Sequence, residues 1–135
     1  MSGITARRPA KSVQHFSELL VWQKAHRLFL ELAHTLPETP QNRAVRISTE
    51  QLLRSTSAVS ALIAEGFNAP TTKEYVYYLD RAKRSGHESE NWLYKLYKLR
   101  ELNVLNGSVP RHLDSCAEIV RMLEGLSRRL SAKRR

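Results

Sequence analysis

A chain of 135 residues with 41% hydrophobic side chains and five glycines has enough apolar surface for one core and too little length for a second domain, and this composition argues against disorder. One cysteine, Cys116, excludes an intramolecular disulfide, and no apolar run approaches the roughly 18 residues that a membrane span needs. The formal net charge of +9 points toward a polyanionic partner, so the placement of the charge matters.

In chain order, residues 1–14 carry Arg7, Arg8 and Lys11 with no acid and read as a flexible basic arm. They contain no apolar stretch of the kind a secretory signal requires, so a cytoplasmic protein is expected. The first helix is predicted from about Ser17 to Leu36, with Val21, Ala25, Leu28, Leu32 and Leu36 at three- and four-residue steps and Ser17 as its cap. Pro37 and Pro40 end it. A second helix is predicted from about Ala44 to Phe67. Between Ser55 and Ala64 it is rich in Ala, Ser and Thr around Val59 and Ile63, a surface that lets a neighbouring helix approach closely, with Ala58, Ala61 and Ala64 as the candidate seam. Gly66, Asn68 and Pro70 read as a stop, and Thr71 stands in capping-box spacing with Glu74.

A third helix is predicted from Thr72 to about Leu102, through Tyr75, Leu79, Ala82, Gly86, Leu93, Leu96 and Leu99. Gly86 inside it costs about 1 kcal/mol against Ala, a loss explained by a close helix crossing or a kink. Asn106-Gly107 makes a turn, Ser108 caps, and Pro110 suits the first turn of a fourth helix through Leu113, Ala117, Val120, Leu123 and Leu130. Short connections imply antiparallel neighbours, so the fold expected over residues 15–127 is an all-α, up-down-up-down four-helix bundle. Residues 128–135, with Arg128, Arg129, Lys133, Arg134 and Arg135, read as a basic C-terminal tail. The two terminal segments hold eight of the nine net charges, while residues 15–127 balance 14 basic against 13 acidic side chains. Such segments serve either as solubilising tails or as polyanion-binding arms.

Several motifs in one order carry a family likeness: FSELLVWQKA at Phe16 to Ala25, the run from Arg54 to IAEG at Ile63–Gly66, Lys73-Glu74-Tyr75 to Leu79, and the Ala82, Ser85, Glu88 spacing. Over roughly residues 16–126 the sequence resembles the four-helix bundle proteins encoded in intervening sequences of 23S ribosomal RNA genes. It departs from their pattern at Leu62, where they usually carry Asn, and at Arg84, where they usually carry Gly. The resemblance implies the bundle fold and a pentameric ring. Relatives of that family include the accessory proteins of diversity-generating retroelements, basic pentamers that bind nucleic acid and a reverse transcriptase, and fold transfers across such a likeness more safely than function.

The residues themselves offer little for catalysis or metal binding. Glu31 and His34 have the Glu-x-x-His spacing of di-iron bundles, but the second such pair is missing. His112 and Cys116 share a helix face without two further ligands. Glu88, Glu90 and His87 lack a nucleophile or an oxyanion-hole signature, and Cys116 reads as a small core hydrophobe. A non-enzymatic protein without metal or cofactor is expected. The third helix is the better surface: Arg81, Lys83 and Arg84 near its middle and Lys95, Lys98 and Arg100 near its end alternate with Trp92, Tyr94 and Tyr97. Exposed rings can stack on bases while the cations neutralise phosphates. The competing reading makes Trp22, Tyr75, Tyr78, Trp92 and Tyr97 core or subunit-interface anchors. The expected function is a homo-oligomer that holds RNA or DNA through the basic arms and the third helix. The alternative is a protein-interaction scaffold for a nucleic-acid enzyme such as a reverse transcriptase.

Overall fold

The computed structural model describes residues 13–40, 42–99, 105 and 107–133. They form a 3-10 turn, Phe16–Glu18, and four α-helices: α1 Leu20–Thr35, α2 Arg43–Phe67, α3 Thr72–Lys98 and α4 Val109–Lys133. No strand occurs among the described residues, and the chain is all-α. The helices enclose one core in which Leu32, Leu52, Ile63, Leu79, Leu93 and Leu123 are the largest fully buried apolar side chains.

The entrance to α1 differs from the sequence expectation. Ser17 does not cap a helix; its N–H donates to His15 Nδ1 at 3.2 Å, and the Glu18 carboxylate accepts the Gln14 N–H at 2.7 Å. The chain closes one tight turn, extends at Leu19 (φ −75°, ψ 127°), and only then winds into α1. The expected stripe Val21, Ala25, Leu28 and Leu32 is buried, with Leu36 just beyond the last turn. Helix α2 starts where Asn42 Oδ1 accepts the Val45 N–H at 3.1 Å. Helix α3 starts at Thr71, whose Oγ1 accepts the Glu74 N–H at 3.1 Å, as the spacing required.

Two glycines set the helix separations. Helix α2 ends at Phe67, as expected, and Gly66 lies within its last turn. A Cβ there would lie 2.9 Å from Tyr78 Cβ and 3.0 Å from Tyr75 Cδ1, so the missing side chain is what lets α3 cross. At Gly86 a Cβ would lie 3.0 Å from Val120 Cγ2, which assigns the interior glycine of α3 to its crossing with α4. The α2–α3 seam falls on hydroxyls instead of alanines. The Ser55 and Ser89 hydroxyls hydrogen-bond at 2.8 Å, and Thr56 Oγ1 donates to the Leu52 carbonyl at 2.9 Å. Ala61 is exposed and Ala58 and Ala64 are half-buried. Ser and Thr fit such a seam because each is small and satisfies its own donor within the helix.

In α4 the buried row is Val109, His112, Cys116, Ile119, Val120 and Leu123. Leu113 and Leu130 lie at its edge, so the helix is rotated from the expected stripe. Gly107 takes the left-handed φ of +80° in the preceding turn, where the absent Cβ removes the strain. The helix also runs past the expected tail boundary to Lys133. Leu123, Leu126 and Leu130 carry the apolar spacing on, while the basic side chains keep their heads in solvent.

Candidate nucleic-acid interface

Helix α3 carries two groups of exposed cations and rings. In its first half, Tyr77, Arg81 and Arg84 are exposed at four- and three-residue steps. The Arg81 guanidinium sits 5.8 Å from the Tyr77 ring centre and 5.9 Å from that of Tyr78, a cation–π arrangement that holds the charge at a fixed place. Lys83 does not join this face. It is half-buried, and its Nζ lies 3.7 Å from both Asp80 Oδ1 and Glu124 Oε2, so its charge is compensated by a tie to α4.

In the second half of α3, Asn91, Tyr94, Lys95 and Lys98 share one exposed face. Lys95 Nζ donates to Asn91 Oδ1 at 3.2 Å and lies 5.6 Å from the Trp92 ring centre. Across from this row, Ala44 and Ser48 of α2 complete an open groove of about 450 Å³ that Leu99 also lines. The i, i+3, i+4, i+7 spacing of the α3 residues is legible in the sequence. Their pairing with Ala44 and Ser48 depends on the helix register and was not.

Of the basic residues expected to bind, Arg128, Arg129 and Lys133 are exposed on the last turns of α4. Arg7, Arg8, Lys11, Arg134 and Arg135 lie outside the described residues. Of the expected interface aromatics, four are half-buried against the core: Trp22, Tyr75, Tyr78 and Trp92. Trp22 stacks on His26 with ring centres 4.5 Å apart, and Tyr75 meets Phe67 edge-on at 6.2 Å. Burial pushes the Tyr75 hydroxyl above its ordinary pKa. Tyr97, by contrast, is exposed.

Several titratable groups elsewhere are tied up locally. Glu90 contacts His87 Nδ1 at 2.9 Å, and Glu31 accepts from Arg111 at 3.0 Å. That bond and the 3.4 Å Lys24–Glu118 pair border a cleft of about 230 Å³ between α1 and α4, where two carboxylates face the cations of Lys24, Arg111 and Arg27. Burial, with help from Glu90, pushes the Cys116 thiol up to about 12, far from a nucleophilic thiolate. His112 is fully buried, and among the described residues neither ring nitrogen has a hydrogen-bond partner. Burial, and then the neighbouring Arg111, lowers its pKa from the ordinary value, with Glu31 opposing. Among the described residues, no three His, Cys, Asp or Glu side chains could share a metal ion.

Comparison with known protein families gives one match, to 23S rRNA-intervening sequence protein, over residues 17–125. The chain belongs to that family. No curated protein and no solved structure matches it significantly. The span matching the 23S rRNA-intervening sequence protein family takes in α1, α2, α3 and most of α4, while the terminal basic groups fall outside it. The two departures from the family pattern have different surroundings. Leu62 is buried among the core residues, where Asn would need a partner, and Arg84 stands in solvent beside Arg81.

Proposed function

We propose that this chain is a non-enzymatic, cytoplasmic, self-assembling helical protein that holds RNA or DNA on α3 and on its basic ends. The helices are read as an up-down-up-down bundle. Lys24–Glu118 and Glu31–Arg111 set α1 against α4, Lys83–Glu124 sets α4 against α3, and Ser55–Ser89 sets α3 against α2. In the pairs that join α1 to α4, rising numbers meet falling ones, as in antiparallel neighbours.

The observation that carries the nucleic-acid reading is the α3 surface, where Arg81 and Lys95 are held over aromatic rings and Tyr77, Tyr94 and Tyr97 are exposed. Cations that neutralise phosphates, interleaved with rings that stack on bases, suit a single strand. The family's name refers to 23S rRNA, which makes RNA the first ligand to test.

The assembly reading draws on the large apolar side chains left on the surface, Leu20, Leu30 and Ile47 besides the tyrosines, residue types that a subunit contact can cover. The number five is what the family resemblance implies. Light scattering at micromolar concentration should give a multiple of the 15.5 kDa chain mass, five-fold if the ring forms; a monomer would end the assembly reading.

The same apolar residues favour a second reading, an accessory subunit docking on a nucleic-acid enzyme such as a reverse transcriptase. Titration with RNA, duplex DNA and single-stranded DNA at several salt concentrations separates the two. Binding to any of them that weakens with salt supports the first reading, and no binding even at low salt hands the lead to the second.

A further inference from the structure

The groove between the start of α2 and the end of α3 differs from the α1–α4 cleft in charge and in lining. No acidic side chain lines it among the described residues; Lys95 and Lys98 supply its charge, and Ala44 and Leu99 are the apolar residues of its lining. Tyr94, 57% exposed, is the one aromatic side chain in the lining. The Asn91 NH2, left free by the bond of its Oδ1 to Lys95, supplies a donor at the same place, where the buried Ser48 also lines the groove. A volume of about 450 Å³ falls within the roughly 300–1,000 Å³ of small-ligand sites. It is open enough for one flat ring to enter from the side.

We propose that this groove receives one unpaired nucleotide of a bound single strand. Its base stacks on Tyr94 beside the apolar Ala44 and Leu99, with the Asn91 amide at the base edge, and Lys95 and Lys98 face the flanking phosphates. The inference rests on the nucleic-acid reading above and sharpens it. A base inside a duplex offers no free face to Tyr94, so this site selects unpaired over paired strands, whereas cations alone would take either.

The test uses the full chain and two labelled probes followed by fluorescence anisotropy: an oligouridylate about twelve nucleotides long, within the range of known single-strand sites, and a blunt RNA duplex of the same length. Tyr94→Ala should weaken oligouridylate binding about 5- to 100-fold, the range of a lost base–aromatic stack, and leave duplex binding unchanged. Tyr94→Phe, which keeps the ring, should bind both probes as the unaltered chain does. Because Tyr94 is exposed, the melting temperature of both variants should match the parent and exclude a folding defect. Equal loss on both probes would overturn the proposal, since the tyrosine would then act without reading an unpaired base. Undiminished oligouridylate binding by Tyr94→Ala would also overturn it and leave the groove to a protein side chain, with the broader nucleic-acid reading intact. If the unaltered chain binds neither probe, the nucleic-acid reading itself fails and takes this one with it.

Discussion

His112 is fully buried on α4, and among the described residues both its ring nitrogens are unpartnered. Burying a polar group without a hydrogen bond costs about 1–3 kcal/mol, whereas an apolar group of similar shape carries no such penalty. Replacing His112 with Leu should therefore leave the melting temperature at pH 8 equal or higher. The pH dependence has a definite sign. Because the folded-state pKa lies below the ordinary 6.5, the unfolded chain binds the proton first, and stability falls as pH drops below about 6.5 until the folded-state pKa is passed. Thermal melts at pH 8 and pH 5 should show a drop for the parent that shrinks in His112→Leu. A variant that melts well below the parent at pH 8 would mean that the imidazole makes a polar contact worth keeping. This position was the least legible in the sequence. Hydrophobic periodicity gives no reason to bury a histidine ahead of Leu113, and only the i, i+4 pairing of His112 with Cys116 hinted at a shared face.

At the scale of the helix pair, Gly66 and Gly86 look alike in sequence and differ in what surrounds them. A Cβ on Gly66 would meet the Tyr78 Cβ at 2.9 Å and the Tyr75 carbonyl oxygen at 3.2 Å, atoms fixed to the α3 backbone. A Cβ on Gly86 would meet only Val120 Cγ2 at 3.0 Å, a single side-chain methyl that a shift of a few tenths of an ångström would clear. Gly66→Ala should therefore lose about 1–3 kcal/mol, the usual range for overpacking. Gly86→Ala gains about 1 kcal/mol of helix propensity to set against a milder clash and should be close to neutral, or stabilising when combined with Val120→Ala. Urea denaturation decides, and equal losses at the two sites would show that helix separation is not set at Gly66. The four helices, the Thr71 cap and the α1 stripe were legible because each follows from local spacing. The α2–α3 seam was not, because Ala58, Ala61 and Ala64 have the composition of a close contact while the Ser55–Ser89 bond depends on which face of each helix turns inward. The candidate site divides the same way. The basic and aromatic residues of α3 could be named from the sequence, but the withdrawal of Lys83 into its ties with Asp80 and Glu124 needed the partner helix.

For the molecule as a whole, the distribution of charge governs how nucleic acid would be held. The residues of the family match are almost neutral in sum, and eight of the nine net charges sit in residues 1–14 and 128–135. Affinity falls with salt in proportion to the phosphates neutralised, by about 0.7 in log–log slope for each contact on a single strand. The terminal charges should therefore set the slope and the α3 face the remainder. Removing residues 128–135 outright would confuse the test, because α4 runs through Lys133 and Leu130 packs on the core. Charge-neutral substitutions serve better. Arg128, Arg129 and Lys133 changed together to Gln should flatten the salt dependence while the melting temperature stays put. Arg81→Ala with Arg84→Ala should weaken binding further at every salt, whereas Lys83→Ala should have a smaller effect, since its charge already faces two carboxylates. A salt slope unchanged by the three glutamines would assign the C-terminal charges to solubility and leave α3 as the surface on which a strand is held.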